Sequence, residues 1–201
     1  MSIAARHQQG SFEKSVIPDA YTSKACKMFI ESLGGKTEPQ VLDIGPVCGE
    51  NINFFARRAR RLFVCDQFSR LHQHRIENSE KGKTWEELDY PSHSFDGILM
   101  WDLVDRLDHD EAVNLIHQCC TLLRPQGVLL VMAYARQTLL PDVHTFVVAR
   151  EYQVSFRPQQ HLKLHVRCRH NRELMTMFSP LSLVKGQLNQ NGFREFVFAL
   201  K

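Results

Sequence analysis

The chain lacks most of what would mark a secreted, metal-bound or membrane protein. Its six cysteines, Cys26, Cys48, Cys65, Cys119, Cys120 and Cys168, contain no C-x-x-C pair. The usual zinc and dithiol motifs are therefore missing, and thiols set in apolar segments read as buried and free. No apolar run approaches the roughly 20 residues of a membrane-spanning helix. Met1 to Gly10 has no signal-peptide core, so a cytoplasmic protein without a membrane partner is expected. Excess charge is scarce too: a net +3 over 201 residues does not by itself argue for nucleic acid. Linkers, repeats and low-complexity tracts are absent, which suggests one domain over residues 1–201. Histidine is the exception to this scarcity, with ten residues. His72/His74 and His161/His165 have spacings a metal could use, but no thiol or carboxylate completes a set, and no metal is expected.

What is present is the composition of a globular domain, 43% apolar and 23% charged, patterned in alternation. Residues 13–33 read as a helix, with Ile17, Tyr21, Ala25, Met28 and Phe29 on one face and Gly34-Gly35 as its stop. Gln40 to Ile44 is a buried strand, Asn51 to Arg60 a helix, and Leu62 to Cys65 a second strand. Phe68 to Asn78 is helical, and Trp85 to Leu88 is a third strand. Phe95 to Trp101, apolar nearly throughout, suits a central parallel strand. Asp108 with Glu111 forms a capping box for a helix whose inner stripe is Val113, Ile116, Cys120 and Leu123. Pro125 and Gly127 end it before a strand at Val128 to Tyr134. Ser179-Pro180 starts a further helix carrying Leu181, Val184 and Leu188, and Phe193 to Leu200 is the final strand. Such alternation means β-α-β units, right-handed crossovers and an open parallel sheet.

Ligands of open α/β sheets bind beyond the carboxyl ends of the strands, so the residues placed there carry the chemistry. Asp43, Gly45 and Gly49 follow the first strand, Asp66 the second, Asp89 the third, and Trp101 and Asp102 the fourth. Glycines admit a close ligand, and the amides opening the 51–60 helix can hold its polar atoms. Asp66 can accept from both hydroxyls of a ribose and Asp89 from an exocyclic amine, which together describe an adenosine-like ligand.

These same residues resemble the class I S-adenosylmethionine-dependent methyltransferases over nearly the whole chain. "VLDIGPVCG" resembles the family motif D/E-x-G-x-G-x-G. "RLFVCD" is similar to the second motif with its ribose-binding acid. "ELDYPSHSFDGILMWDLVDRLDH", "LLRPQGVLLVM" and "FSPLSLVKGQLNQNGFREF" resemble the later segments in order. The resemblance implies a Rossmann-like, doubly wound, three-layer α/β/α fold with seven strands, the last antiparallel. It implies S-adenosyl-L-methionine as cofactor, with Asp43, Gly45, Cys48 and Gly49 around its methionine part. Asp66 and Gln67 would lie at the ribose, Asp89 and Tyr90 at the adenine, and Trp101 and Asp102 near the methyl group or adenine. Trp101 reads equally as core. A nicotinamide-binding Rossmann domain would want G-x-G-x-x-G and fits less well.

Val47 stands where the motif has its middle glycine. A β-branched residue resists positive φ and adds bulk beside the ligand. Either the loop is rerouted with the cofactor retained, or the site is partly filled and the protein is a non-catalytic binding module. The three acids favour retention. By family analogy residues 1–35 form an N-terminal helical cap, and residues 136–172 form a substrate-covering insert over a small or mid-sized acceptor. In "HLKLHVRCRH" the alternation puts Lys163, His165, Arg167 and Arg169 on one face. That face reads as solvated before it reads as an anionic-substrate or RNA contact. No catalytic base is identified among His144, His161 and His165. The acceptor and the oligomeric state stay open.

Overall fold

A strand that is apolar at nearly every position must be covered on both faces, and the computed structural model places Phe95–Trp101 at the centre of a sheet with every residue buried. The structure describes residues 20–77, 88–136, 142–189 and 192–201. In chain order the elements are β1 (Ala20–Thr22), α1 (Lys24–Gly34), β2 (Gln40–Asp43), α2 (Gly49–Ala56), β3 (Arg61–Val64), α3 (Gln67–Ile76) and β4 (Phe95–Trp101). There follow α4 (His109–Leu122), β5 (Leu123–Tyr134), β6 (Asp142–Val148), β7 (Gln153–Lys163), α5 (Asn171–Met177), β8 (Ser182–Leu188) and β9 (Phe193–Ala199).

The main sheet has the order β3-β2-β4-β5-β9-β8. Its first four strands are parallel, β9 is antiparallel to β5, and β8 is antiparallel to β9. Alternate strand residues face opposite layers, as the period of two requires. Leu42, Ile98 and Met100 pack with Phe68 and Leu71 of α3, Leu115 and Ile116 of α4, and Leu174 of α5. Val41, Leu99 and Leu130 face Phe29 and Leu33 of α1 and Phe55 of α2. The result is the expected three-layer α/β/α arrangement. Glycine at 97 lets α1 approach, because a Cβ there would lie 2.6 Å from Phe29 Cζ.

Several expectations are corrected. Six strands, not seven, make the main sheet among the described residues; Trp85 to Glu87 of the expected third strand lie outside them, and Leu88 is buried with its carbonyl accepting from Tyr90 N at 2.9 Å. The helix expected from Ser179 is instead β8. Its Leu181, Val184 and Leu188 spacing imitates a helical stripe, yet Val184 and Leu188 are exposed, and the backbone is satisfied by pairing with β9. The first helix begins only at Lys24, where Ser23 Oγ accepts from Cys26 N at 2.9 Å. Tyr21 lies in β1, which pairs with β7, and residues 13–19 fall outside the description. On α4 the buried stripe is Ala112, Leu115, Ile116, Cys119 and Leu122, one residue away from the expected one, and the helix ends before Pro125. Its Asp108–Glu111 capping box is as expected. On α2 Phe55 is buried and Ile52 half-buried as expected, but Phe54 joins them and Ala56 is exposed.

Residues 136–172, irregular by periodicity, contain the β6–β7 hairpin, which with β1 forms a second sheet of order β1-β7-β6. This sheet lies over the carboxyl edge of the first. Phe146 stacks on Trp101 at 5.7 Å between ring centroids and meets Phe193 edge-on at 5.2 Å. Asn51, in the first turn of α2, completes the union with its side chain. Its Nδ2 donates to Phe146 O and its Oδ1 accepts from Val148 N, each at 2.8 Å.

Candidate cofactor site

The site starts where β2 ends. Asp43 is 3% exposed. Its Oδ1 accepts from Gly45 N at 2.9 Å and from Trp101 Nε1 at 2.8 Å. Burial pushes its carboxyl up to about 6; the two hydrogen bonds oppose this, and the nearby charge of Asp66 adds to it. The loop then leads to α2, whose N-cap, Cys48, makes no side-chain cap bond.

Val47 is answered by the backbone. No residue from Gly45 to Gly49 adopts a positive φ, so the loop never asks Val47 for a conformation it resists. Its side chain is 60% exposed, and it fills nothing. The bulk at the site comes from Trp101. An ideal Cβ on Gly45 would lie 2.5 Å from Trp101 Nε1 and closer still to Cδ1, so residue 45 must be glycine for the sake of the indole. Trp101 itself has φ +56°, in the left-handed region that bulky residues rarely enter.

The other strand-end residues divide. Asp66 follows β3 and caps α3: its carboxylate accepts from Ser69 N at 2.9 Å and from Ser69 Oγ at 2.8 Å. Val47 N reaches the same carboxylate at 3.4 Å, so the loop after β2 and the acid after β3 face each other. Gln67 is fully buried; its Nε2 meets Cys65 Sγ, and its Oε1 has no hydrogen-bond partner among the described residues. Cys48 is buried with its thiol 3.3 Å from Glu50 Oε2, while Gly49 is exposed. Asp89 is exposed, and Tyr90 packs its ring edge-on against Phe63 and Phe95.

Asp102 points away from these residues. It is fully buried, and its Oδ2 accepts from Arg106 Nε at 3.0 Å and from Nη2 at 2.9 Å. Arg106 also donates to Leu164 O and Tyr134 Oη, each at 2.8 Å. Burial works against the charge of Arg106, but Asp102, Tyr134 and Asp105 outweigh it and raise its pKa. Asp105 accepts from Tyr134 N at 2.6 Å, and burial pushes it up to about 7. Arg169 is buried and donates to the carbonyls of Val104, Leu107 and Asp108, closing the turn after β4. It therefore leaves the basic face on which the alternation placed it, while Lys163, His165 and Arg167 remain exposed. Sequence reasoning missed this network. The Asp102/Arg106 spacing of four was the one signal available for it.

The fold is that of an open, mostly parallel α/β sheet with Asp43 and Asp66 at the carboxyl ends of neighbouring strands. A model described as a methyltransferase domain matches residues 19–195, and the chain belongs to that family, the class I S-adenosylmethionine-dependent methyltransferases. The family's cofactor is S-adenosylmethionine, as the resemblance implied. Among solved structures, an S-adenosylmethionine-dependent methyltransferase from Clostridium acetobutylicum is 12% identical, with 88% of this chain and 91% of that chain covered and a TM-score of 0.58. The 1,6-didemethyltoxoflavin-N1-methyltransferase of Burkholderia thailandensis, solved with 1,6-didemethyltoxoflavin and S-adenosylhomocysteine, is 18% identical over 88% and 76%, with a TM-score of 0.55. A methyltransferase from Mesorhizobium loti is 12% identical over 87% and 95%, with a TM-score of 0.54. At these identities the likeness is one of fold. Comparison with curated proteins finds no match. Among the described residues, no helix is long and apolar enough to cross a membrane.

Proposed function

We propose that this protein binds S-adenosylmethionine along the carboxyl edge of β2, β3 and β4 and transfers its methyl group to a small or mid-sized acceptor under the second sheet. The observation that carries the reading is the approach of Val47 N to Asp66 at 3.4 Å. It brings the loop after the first parallel strand and the acid after the second to the same space. Asp43, Gly45, Cys48 and Gly49 then surround the methionine part. Asp66 and Gln67 take the ribose, with the buried Gln67 Oε1, unpartnered among the described residues, as a further acceptor. Asp89 and Tyr90 lie at the adenine. Trp101 contributes at the methionine end, and Asp102 contributes by fixing the turn after β4 through Arg106. When bound, the sulfonium supplies a methyl group open to in-line attack by an acceptor lone pair, and the C–S electrons leave with sulfur. The chain's own task is then to orient and to exclude water. The second sheet serves this by closing the edge with Phe146, which packs against Trp101 and against Phe193 of β9. An acceptor of the size of 1,6-didemethyltoxoflavin, the compound held by the Burkholderia protein, fits the proposal.

Calorimetric titration with S-adenosylhomocysteine tests it. One site per chain is expected, lost in Asp66→Ser, which keeps a helix-capping oxygen but removes the carboxylate. Absence of binding would favour the second reading, a methyltransferase-like module without catalysis. The feature that supports this alternative is the Trp101 indole resting on Asp43.

A further inference from the structure

Asp43 presents an imbalance of charge. It is a nearly inaccessible carboxylate whose two hydrogen-bond donors, Gly45 N and Trp101 Nε1, are both neutral. The ionic influence on it is another acid, Asp66, and no cation among the described residues contributes. A buried carboxylate is costly unless something charged compensates it, and among the described residues nothing does. The indole satisfies the geometry of the acceptor and leaves its charge uncompensated.

Trp101 is also held there in an unusual way. Its φ of +56° departs from what a bulky side chain prefers, and strain of this kind persists only where the surroundings impose it. The surroundings here are the Asp43 hydrogen bond below and the Phe146 ring above, the latter parallel to within 10°. Plain core packing explains the stack. It does not explain why the indole nitrogen is aimed at an uncompensated acid across a glycine that only glycine can be.

We infer that Trp101 is an internal occupant of an ammonium subsite at Asp43, and that a ligand's α-ammonium group must displace it to bind. This rests on the reading that the edge takes S-adenosylmethionine, and it states what controls entry to that site. The ammonium of the methionine tail exchanges a neutral donor for a charged one at Asp43 Oδ1. The indole moves off, and because it is stacked on Phe146, the β6 strand of the covering sheet moves with it. Site closure is thereby coupled to the tail of the ligand and not to its nucleoside.

The test uses two nucleosides that differ at that tail. S-adenosylhomocysteine carries the ammonium; 5′-methylthioadenosine lacks the amino-carboxyl group. Binding is measured by calorimetry at pH 8, where Asp43 is ionised, for the parent chain and Trp101→Phe. The phenyl ring retains a stacking surface and loses the competing N–H. S-adenosylhomocysteine should bind the variant roughly tenfold more tightly, the worth of one hydrogen bond to a charged group. Methylthioadenosine should change by less than about twofold, because its contacts lie elsewhere. In a Trp85→Phe background, where Trp101 is the sole tryptophan, S-adenosylhomocysteine should shift its emission to the red and increase acrylamide quenching; methylthioadenosine should do neither. This second measurement stands even if Trp101→Phe does not fold. Equal or weaker binding of S-adenosylhomocysteine by the variant, or unchanged emission on saturation, would overturn the inference and leave the cofactor reading standing. Failure of both nucleosides to bind either protein would overturn both.

Discussion

Replacing Gly45 by alanine should unfold the protein more readily, and the structure says by how much. The added methyl would lie 2.5 Å from Trp101 Nε1, closer than any real contact of its kind. Two responses are open. The indole can stay and force its neighbours apart, at about 1–3 kcal/mol for an overpacked core. Or it can swing away and surrender its bond to Asp43, at about 1.5–3 kcal/mol for a hydrogen bond to a charged group. The protein takes the cheaper course, so the expected loss is about 1–3 kcal/mol. For a chain of this size that lowers Tm by roughly 2–12 °C. Urea unfolding followed by far-ultraviolet circular dichroism measures it, with the slope m unchanged if only the native state is affected. The cause can be isolated in a double-mutant cycle: with Trp101→Ala present, Gly45→Ala should add little. A single-mutant loss below about 0.5 kcal/mol, or a double mutant in which the two losses simply add, would show that the indole does not press on residue 45.

The remaining predictions concern charge and caps. Burial raises Asp43 from an ordinary value near 4 to about 6, so its ionised form opposes folding; its contribution is intact below about 4 and is lost as pH rises to about 6. Asp43→Asn should remove that slope, raise stability at pH 8 by up to about 3 kcal/mol, and weaken binding of any ammonium ligand, as a pH series of urea midpoints and a titration would show. Asp66→Ala should lower stability by about 1 kcal/mol even without ligand, because Asp66 caps α3 through Ser69; an unchanged melting temperature would contradict the cap. Arg106→Met should cost about 3–5 kcal/mol by leaving Asp102 buried and unpaired, and Asp102→Leu combined with it should recover much of the loss. Equilibrium unfolding of the single and double variants would decide this.

Much of the scaffold was legible in the sequence because local pattern and tertiary context agree there. The run Phe95 to Trp101 could only be a central strand, and the Asp108–Glu111 box announced α4 by hydrogen bonds that are local to it. The placement of Asp43 and Asp66 was legible for the same reason: each stands at the end of a parallel strand, and Val47 N donates to Asp66 at 3.4 Å. Where they disagree, the reading failed. Leu181, Val184 and Leu188 have helical spacing, but β9 offers a backbone partner that no periodicity reveals. Arg169 looked like one of an exposed alternating set, yet three carbonyls at the turn after β4 draw it inside. Val47 was suspected of blocking the loop on its shape alone. The side chain that does press on the loop, Trp101, is 56 residues further on and comes beside Gly45 only because β2 and β4 are neighbours in the sheet.

The most direct measurement for the central claim is a melting scan with S-adenosylmethionine and, separately, with S-adenosylhomocysteine. At a hundredfold excess over Kd, binding to the native state adds about 2.7 kcal/mol, which for this size means a rise of roughly 5–11 °C. The account predicts that rise for the native chain and none for Asp66→Ser. A native melting temperature unmoved by either compound would contradict it.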